Sequence, residues 1–158
     1  MSRICLFPGT FDPLTLGHVD IINRSLSLFD KVVIGIGKNS NKLPLFSEED
    51  RLAWIKEIYK NEPKVDAIVY EGLTANCCKN IGAKFILRGI RYVSDFEYEK
   101  AIADMNRSLD KSIETIFLTC LPEFTSVAST LVRDVIRNGG DVSQFVPTVV
   151  LQSILLKQ

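Results

Sequence analysis

The chain has one histidine, His18, and its four cysteines, Cys5, Cys77, Cys78 and Cys120, form no CxxC pair. One imidazole and scattered thiols leave no familiar zinc spacing. A bridge between the adjacent Cys77 and Cys78 would be strained. Four free thiols suit a reducing compartment, so the expected location is the cytoplasm. No apolar stretch approaches ~20 residues, so no membrane-spanning helix is expected. The opening MSRICLFPG is too short an apolar run for a signal peptide. Net charge is also absent, with 19 Lys plus Arg against 19 Asp plus Glu. That balance argues against bulk affinity for nucleic acid or anionic lipid, yet leaves room for a local basic pocket that takes a small anion. There are no internal repeats, low-complexity segments or linkers, and 158 residues suit one domain over 1–158.

Short apolar runs alternate with segments of helical period. RICLF, KVVIGIG, VDAIVY, KFILRG and ETIFL read as five buried strands. Between them, helices are expected over 17–29, from an N-cap at Ser47 to about Lys60, over 73–81 and over 95–109. Two more follow: 129–138, stopped by the NGG of 138–140, and one opened by Pro147 that ends near Lys157. On the 95–109 helix, Tyr98, Ala101, Ile102, Met105 and Leu109 fall along one side, and Met105 reads as a core residue. Strands alternating with helices indicate an α/β fold: a five-stranded parallel, Rossmann-like sheet with helices on both faces. Ligands of such sheets bind beyond the carboxyl ends of the strands, so the informative loops follow Phe7, Gly37, Tyr70, Leu87 and Leu118. GIGK over 35–38 lacks the phosphate-loop spacing and is read as strand.

The first of those loops, FPGTFDPLTLGHVD, holds the only histidine between a strand and a helix. Gly9 allows close approach of a ligand to the backbone. The free N–H groups of a helix start favour an anion, and Gly17 removes a side chain where a nucleotide would press. An isolated histidine in such a place reads as a local cap or a surface residue. With the glycines, the Thr10 hydroxyl and the strand-to-helix junction around it, His18 reads as a phosphate ligand.

These residues carry a resemblance. PGTFDPLTLGHVDII is similar to the nucleotidyltransferase superfamily, whose (T/H)xGH signature falls on Thr15, Leu16, Gly17 and His18. Within it, the blocks NSNKLPLFSEEDR, LRGIRYVSDFEYE, MNRSL and VASTLVR, in that order, resemble the bacterial phosphopantetheine adenylyltransferases over almost the whole chain. The resemblance implies transfer of the adenylyl group of ATP to 4′-phosphopantetheine. The products would be dephospho-coenzyme A and pyrophosphate.

It also implies roles for particular residues. His18 would stabilise the transition state, with Thr10 and Lys42 beside it. By position alone Lys42 is an ordinary solvated lysine. Thr10, Lys42, Leu73, Thr74, Arg88, Tyr98 and Asn106 would hold phosphopantetheine. Thr10, Phe11, Gly17, His18, Gly89, Ile90, Arg91, Glu99 and the run Phe124, Thr125, Ser126, Val127, Ala128, Ser129 and Thr130 would hold ATP. From spacing alone, Arg88 and Arg91 suit either anions or salt bridges to Asp95, Glu97 or Glu99.

Three places depart from the family pattern. Gly72 stands where many relatives carry Asp, Ala128 lacks a hydroxyl, and Thr119-Cys120 replaces a common Met-Pro.

A phosphate nucleophile is largely ionised near neutral pH, and the chain shows no Ser-His-Asp or Cys-His arrangement. Positioning and charge stabilisation would therefore carry catalysis. Magnesium is the implied cofactor, held mainly by ATP phosphates and water because no carboxylate cluster would cage it. A homohexamer and feedback by coenzyme A are further implications. The alternatives are another adenylyl- or cytidylyltransferase of the superfamily, or a non-catalytic flavodoxin-like module.

Overall fold

The computed structural model describes residues 2–38, 41 and 43–157. In chain order, β1 is Ile4–Gly9, α1 Leu16–Ser25, β2 Lys31–Gly37, α2 Glu48–Ile58, β3 Val65–Tyr70 and α3 Thr74–Ile81. Then come β4 Phe85–Ile90, α4 Val93–Leu109, β5 Glu114–Thr119, a short 3-10 turn Pro122–Phe124, α5 Ser129–Arg137 and α6 Thr148–Leu156. The strands make one five-stranded sheet in the order β3-β2-β1-β4-β5, and every pairing is parallel.

Successive strand residues point to opposite faces, and the sequence exploits this with near-continuous apolar runs. Cys5, Phe7, Val32, Ile34, Ile36 and Leu87 pack with Ile21, Ile22, Trp54, Ile55, Val132, Val150 and Ile154 on the face covered by α1, α2, α5 and α6. Leu6, Val33 and Ile86 pack with Ala75, Cys77 and Cys78 of α3 on the other face. Each fully buried Leu or Ile contributes about 1.5–3 kcal/mol of transfer free energy, so the two cores dominate stability.

Strand order reverses between β1 and β4, the place where such sheets open a ligand crevice. The β1–β2 ladder runs on to Gly9↔Ile36, whereas the β1–β4 ladder stops at Leu6↔Ile86. Pro8 follows in β1 and brings no N–H for pairing. Beyond that point β4 stays with β5 as far as Ile90↔Thr119, so β1 and β4 part at their carboxyl ends.

The element order matches the sequence expectation, with two differences that bear on the site. Arg88 lies inside β4 rather than at its end, because the strand continues to Ile90. Met105 is not a core residue: it is 66 % exposed, beside Tyr98 at 69 % and Leu109 at 56 %. The sheet-facing side of α4 instead buries Glu99 and Asn106. Glu99 is needed there as the partner of Arg88, and this turns the apolar stripe outward.

Candidate active site

A cavity of about 940 Å³ sits where β1 and β4 part. Its walls include Thr10, Phe11, Gly17, His18, Arg88, Gly89, Arg91, Tyr98, Glu99, Val127, Ala128, Ser129 and Thr130. A second cavity of about 160 Å³ adjoins it on the α4 side, sharing Pro8, Arg88 and Glu99 and adding Thr74 and Asn106. Leu73, Ile90, Phe124, Thr125 and Ser126 line neither cavity. Lys42 lies outside the described residues.

His18 is a cap, the structural role that the sequence set against a phosphate ligand, and its capping contacts leave the other ring nitrogen uncommitted. Thr15 is the N-cap of α1 and His18 its third helical residue. The Thr15 amide donates to His18 Nδ1 at 3.0 Å, the two side chains meet at 3.1 Å, and the His18 amide donates to Thr15 Oγ1 at 3.4 Å. This is a capping box with an imidazole in the place usually taken by Glu or Gln. Because Nδ1 accepts from an amide, the ring proton sits on Nε2. The side chain therefore offers an N–H donor on the cavity wall while remaining uncharged. Burial lowers its pKa to about 4, and the Arg88 and Arg91 charges push the same way. Phe11 holds the ring from the side, with centroids 5.0 Å apart and planes at 73°.

Phe11 itself has φ 50, a left-handed conformation costly for a non-glycine residue. Its ring fills the space where a Cβ on Gly9 would stand, 2.9 Å from Cζ. Gly9 thus admits the Phe11 ring, which in turn packs edge-to-face against His18. Gly17 is different: a Cβ there would meet its nearest neighbours at 3.6 Å, ordinary contact. The free protein does not require glycine at that position.

Both arginines of the β4 end are engaged in ion pairs. Arg88 grips Glu99 with Nε at 2.6 Å and Nη2 at 2.7 Å, and donates through Nη1 to the Pro8 carbonyl at 2.5 Å. Arg91 bonds Asp95 through Nε at 3.2 Å. Burial raises the Asp95 pKa, but the Arg91 amide and guanidinium more than offset this and hold it below its ordinary value. The salt-bridge reading of the spacing is thus realised, and the pairs aim the forks from the cavity wall. Six basic side chains (Lys38, Arg51, Arg88, Arg91, Arg133 and Arg137) face four acidic ones (Asp12, Glu48, Asp95 and Glu99) around the cavity, so an uncharged chain keeps a locally positive pocket.

The late block closes the far wall. No side chain caps the N-terminus of α5 at Ala128, leaving its first amides open to an anion. The Ser129 hydroxyl is not directed to a ligand but donates to the Pro13 carbonyl at 2.8 Å. Thr130 Oγ1 accepts from Arg133 at 3.3 Å. Cys120 lines the cavity beside Gly89, and burial pushes its thiol, like those of Cys5, Cys77 and Cys78, upward, which disfavours a reactive thiolate.

Sequence reasoning missed Asp12, Arg51, Arg133 and Arg137 as cavity residues. A strand-end or helix-start position signals a site residue. Arg51 and Arg133 reach the cavity from within helices, a signal that one sequence does not carry.

The cytidylyltransferase-like family model matches residues 6–135. A phosphopantetheine adenylyltransferase of Flavobacterium psychrophilum is 58 % identical over 94 % of this chain and 97 % of its own. One from Bacteroides fragilis is 48 % identical over 92 % and 96 %. Among solved structures, a bifunctional NMN adenylyltransferase/ADP ribose pyrophosphatase from Francisella tularensis superposes with a TM-score of 0.75. It shares 19 % identity over 100 % of this chain and 51 % of its own, a likeness of fold.

Proposed function

The chain belongs to the phosphopantetheine adenylyltransferase family of cytidylyltransferase-like proteins, and on that premise we infer that it transfers the adenylyl group of ATP to 4′-phosphopantetheine, giving dephospho-coenzyme A and pyrophosphate in coenzyme A biosynthesis. The structural observation that best supports this is a neutral imidazole, held by its capping box, on the wall of a locally positive cavity at the β1/β4 opening.

In this reading the phosphate of phosphopantetheine attacks the α-phosphorus of ATP in line. It needs no base, because it is already largely ionised near neutral pH. His18 donates Nε2–H to an equatorial oxygen of the transferring group. The Nδ1 contacts to Thr15 keep that donor aimed without a proton having to move. Thr10 and Lys42 complete the grip. Arg88, with Thr74 and Asn106 in the adjoining cavity, takes the phosphopantetheine side together with Leu73 and Tyr98. Arg91, Gly89, Ile90 and Glu99 take the ATP side, and the segment 124–130 receives adenine and the leaving pyrophosphate at the open end of α5.

Magnesium fits as an ion carried by ATP phosphates and water. Both Asp12 oxygens accept backbone amides, Glu99 gives both oxygens to Arg88, and Asp95 and Glu48 pair with Arg91 and Lys38, so the described cavity carboxylates are engaged with protein partners rather than gathered into a cluster around a cation. The ion would reduce the charge on the phosphates. The outward apolar stripe of α4 supports self-association, which we assign to a homohexamer. Coenzyme A shares the pantetheine arm and is the expected feedback ligand. None of the described helices is long and apolar enough to cross a membrane, and cytoplasmic location is part of this reading.

The test is pyrophosphate release from magnesium-ATP on addition of 4′-phosphopantetheine. No release with that acceptor, but release with a different phosphorylated acceptor, would assign the chain to another branch of the superfamily. Sedimentation with and without coenzyme A tests the assembly and the feedback ligand.

A further inference from the structure

We propose that Asp12 and Arg51 form a reciprocal clamp that positions Phe11 and His18 for the transfer step, an inference that rests on the function just given. Both side chains are almost fully buried, at 3 % exposure each. The Asp12 carboxylate accepts the Leu45 amide at 2.8 Å and the Phe46 amide at 2.9 Å. Arg51 reaches back from α2, donating through Nη1 to the Thr10 carbonyl at 2.7 Å and through Nε to the Phe46 and Ser47 carbonyls at 3.1 Å each. Thus the loop after β1 and the first turn of α2 each supply a buried charge that binds backbone across the gap between them. Neither charge neutralises the other through a salt bridge. Arg133 Nη1 lies 4.0 Å from the Asp12 carboxylate, while the contacts of Arg51 are to backbone carbonyls. Burying charged groups is a costly way to gain stability, and its distinctive result here is a fixed distance between the loop after β1 and the segment that leads into α2.

What the clamp brackets is the strained residue. Thr10, on one side of Phe11, has its carbonyl held by Arg51. Asp12, on the other, is held through its carboxylate by the Leu45 and Phe46 amides and through its carbonyl by Arg133 at 2.6 Å. A non-glycine residue at φ 50 persists only when its surroundings over-determine it, and here both neighbours are pinned. The Phe11 ring then fixes the edge of His18 at 5.0 Å. Asp12 and Arg51 are accordingly positioning residues. They act through Thr10, Phe11 and His18 rather than on the phosphates.

The experiment uses the full chain with Arg51→Lys, which keeps the charge but loses the fork, and Asp12→Asn, which is nearly isosteric but puts an NH2 donor where one of the two amides now meets a carboxylate oxygen. Ile113→Val, a buried methyl deletion in the other core cluster, controls for stability. For each, kcat and both KM values are measured well below the melting temperature. The ring signals of His18, the only histidine, are recorded without ligand, where they sense the Phe11 ring. The clamp predicts that both loop variants lose about 10- to 100-fold in kcat, the scale of a misplaced catalytic group, with KM for ATP within about 3-fold. The His18 signals should also shift, and Ile113→Val should change neither. Variants that keep kcat and unshifted His18 signals, whatever their melting temperatures, overturn the proposal. Raised KM at full kcat also overturns it and makes these residues ligand contacts. If Arg51→Lys does not fold, Asp12→Asn decides by the same criteria. A wild-type chain that transfers no adenylyl group would refute the function, while the His18 signals would still test the clamp.

Discussion

The protonation state of His18 can be followed without interference, because no other histidine is present. Burial and the nearby arginines lower its pKa from 6.5 to about 4, so the folded state prefers the neutral ring. The sign of the linkage follows. Above pH 6.5 the ring is neutral in both folded and unfolded chains and costs nothing. As pH falls from 6.5 towards about 4, the unfolded chain binds a proton that the folded chain refuses, and stability is progressively lost. The full difference corresponds to roughly 3 kcal/mol at most, and the partial exposure of the ring makes about 2 kcal/mol a better expectation. Urea unfolding of the wild type and His18→Gln at pH 7 and pH 4.5 isolates this contribution. The wild type should lose more stability than the variant over that interval. NMR titration of the ring should give a midpoint near 4, with Nδ1 unprotonated throughout the neutral range. Bound ATP should raise the midpoint, since its phosphates favour imidazolium. A midpoint at or above 6.5 in the free protein, or parallel stability curves for the two proteins, would refute the neutral-donor account.

His18→Ala should cost roughly 10²–10³ in kcat, the range for a lost preorganised donor, with ATP binding measured by calorimetry much less changed. Arg88→Lys should weaken phosphopantetheine binding by about 1.5–3 kcal/mol and leave ATP affinity nearly intact. Arg91→Ala should show the reverse preference in the same titrations, and equal losses for both ligands would instead mean a collapsed β4 loop. Gly17→Ala should leave the melting temperature unchanged or slightly higher, since the new methyl meets ordinary contacts, yet weaken ATP binding. Gly35→Ala should destabilise by about 1–3 kcal/mol in urea, because its Cβ would fall 2.8 Å from Leu6 and 3.0 Å from Tyr70.

The sheet was legible because central parallel strands, buried on both faces, are written as nearly unbroken apolar runs, as in KVVIGIG, and the edge strand VDAIVY is still apolar enough to be bounded where the strand is. The Ser47 cap and the glycine after Asn138, at φ 70, were legible for equally local reasons. Helix α4 misled because period alone does not say which face meets the sheet. Met105, on its apolar stripe, reads as a core residue, but the buried positions of the helix belong to Glu99 and Asn106. Spacing offered Glu99 among the partners of the half-buried Arg88, but local pattern does not reveal that this pair, rather than the apolar stripe, is what the helix turns towards the sheet.

The same distinction bears on Arg88 and His18, for which a structural role and a ligand role need not exclude each other. Arg88 was weighed as either an anion ligand or a salt-bridge partner, and His18 as either a cap or a phosphate ligand. A phosphate site gains nothing from a loose cation, because ordering a long side chain on binding costs about 2 kcal/mol of rotamer entropy. Glu99 settles that cost in advance for Arg88 by holding Nε and Nη2, while Pro8 holds Nη1. The Thr15 capping box does the same for His18 by occupying Nδ1 and leaving Nε2 to donate. For His18 the structural bonds use one edge of the ring and leave the other to the cavity, whereas Arg88 gives one hydrogen of each nitrogen to protein partners and keeps a second hydrogen on Nη1 and on Nη2 for a ligand. An ion pair or a cap predicted at a strand end or helix start therefore does not compete with a ligand role; it is the condition that makes the group rigid enough to have one.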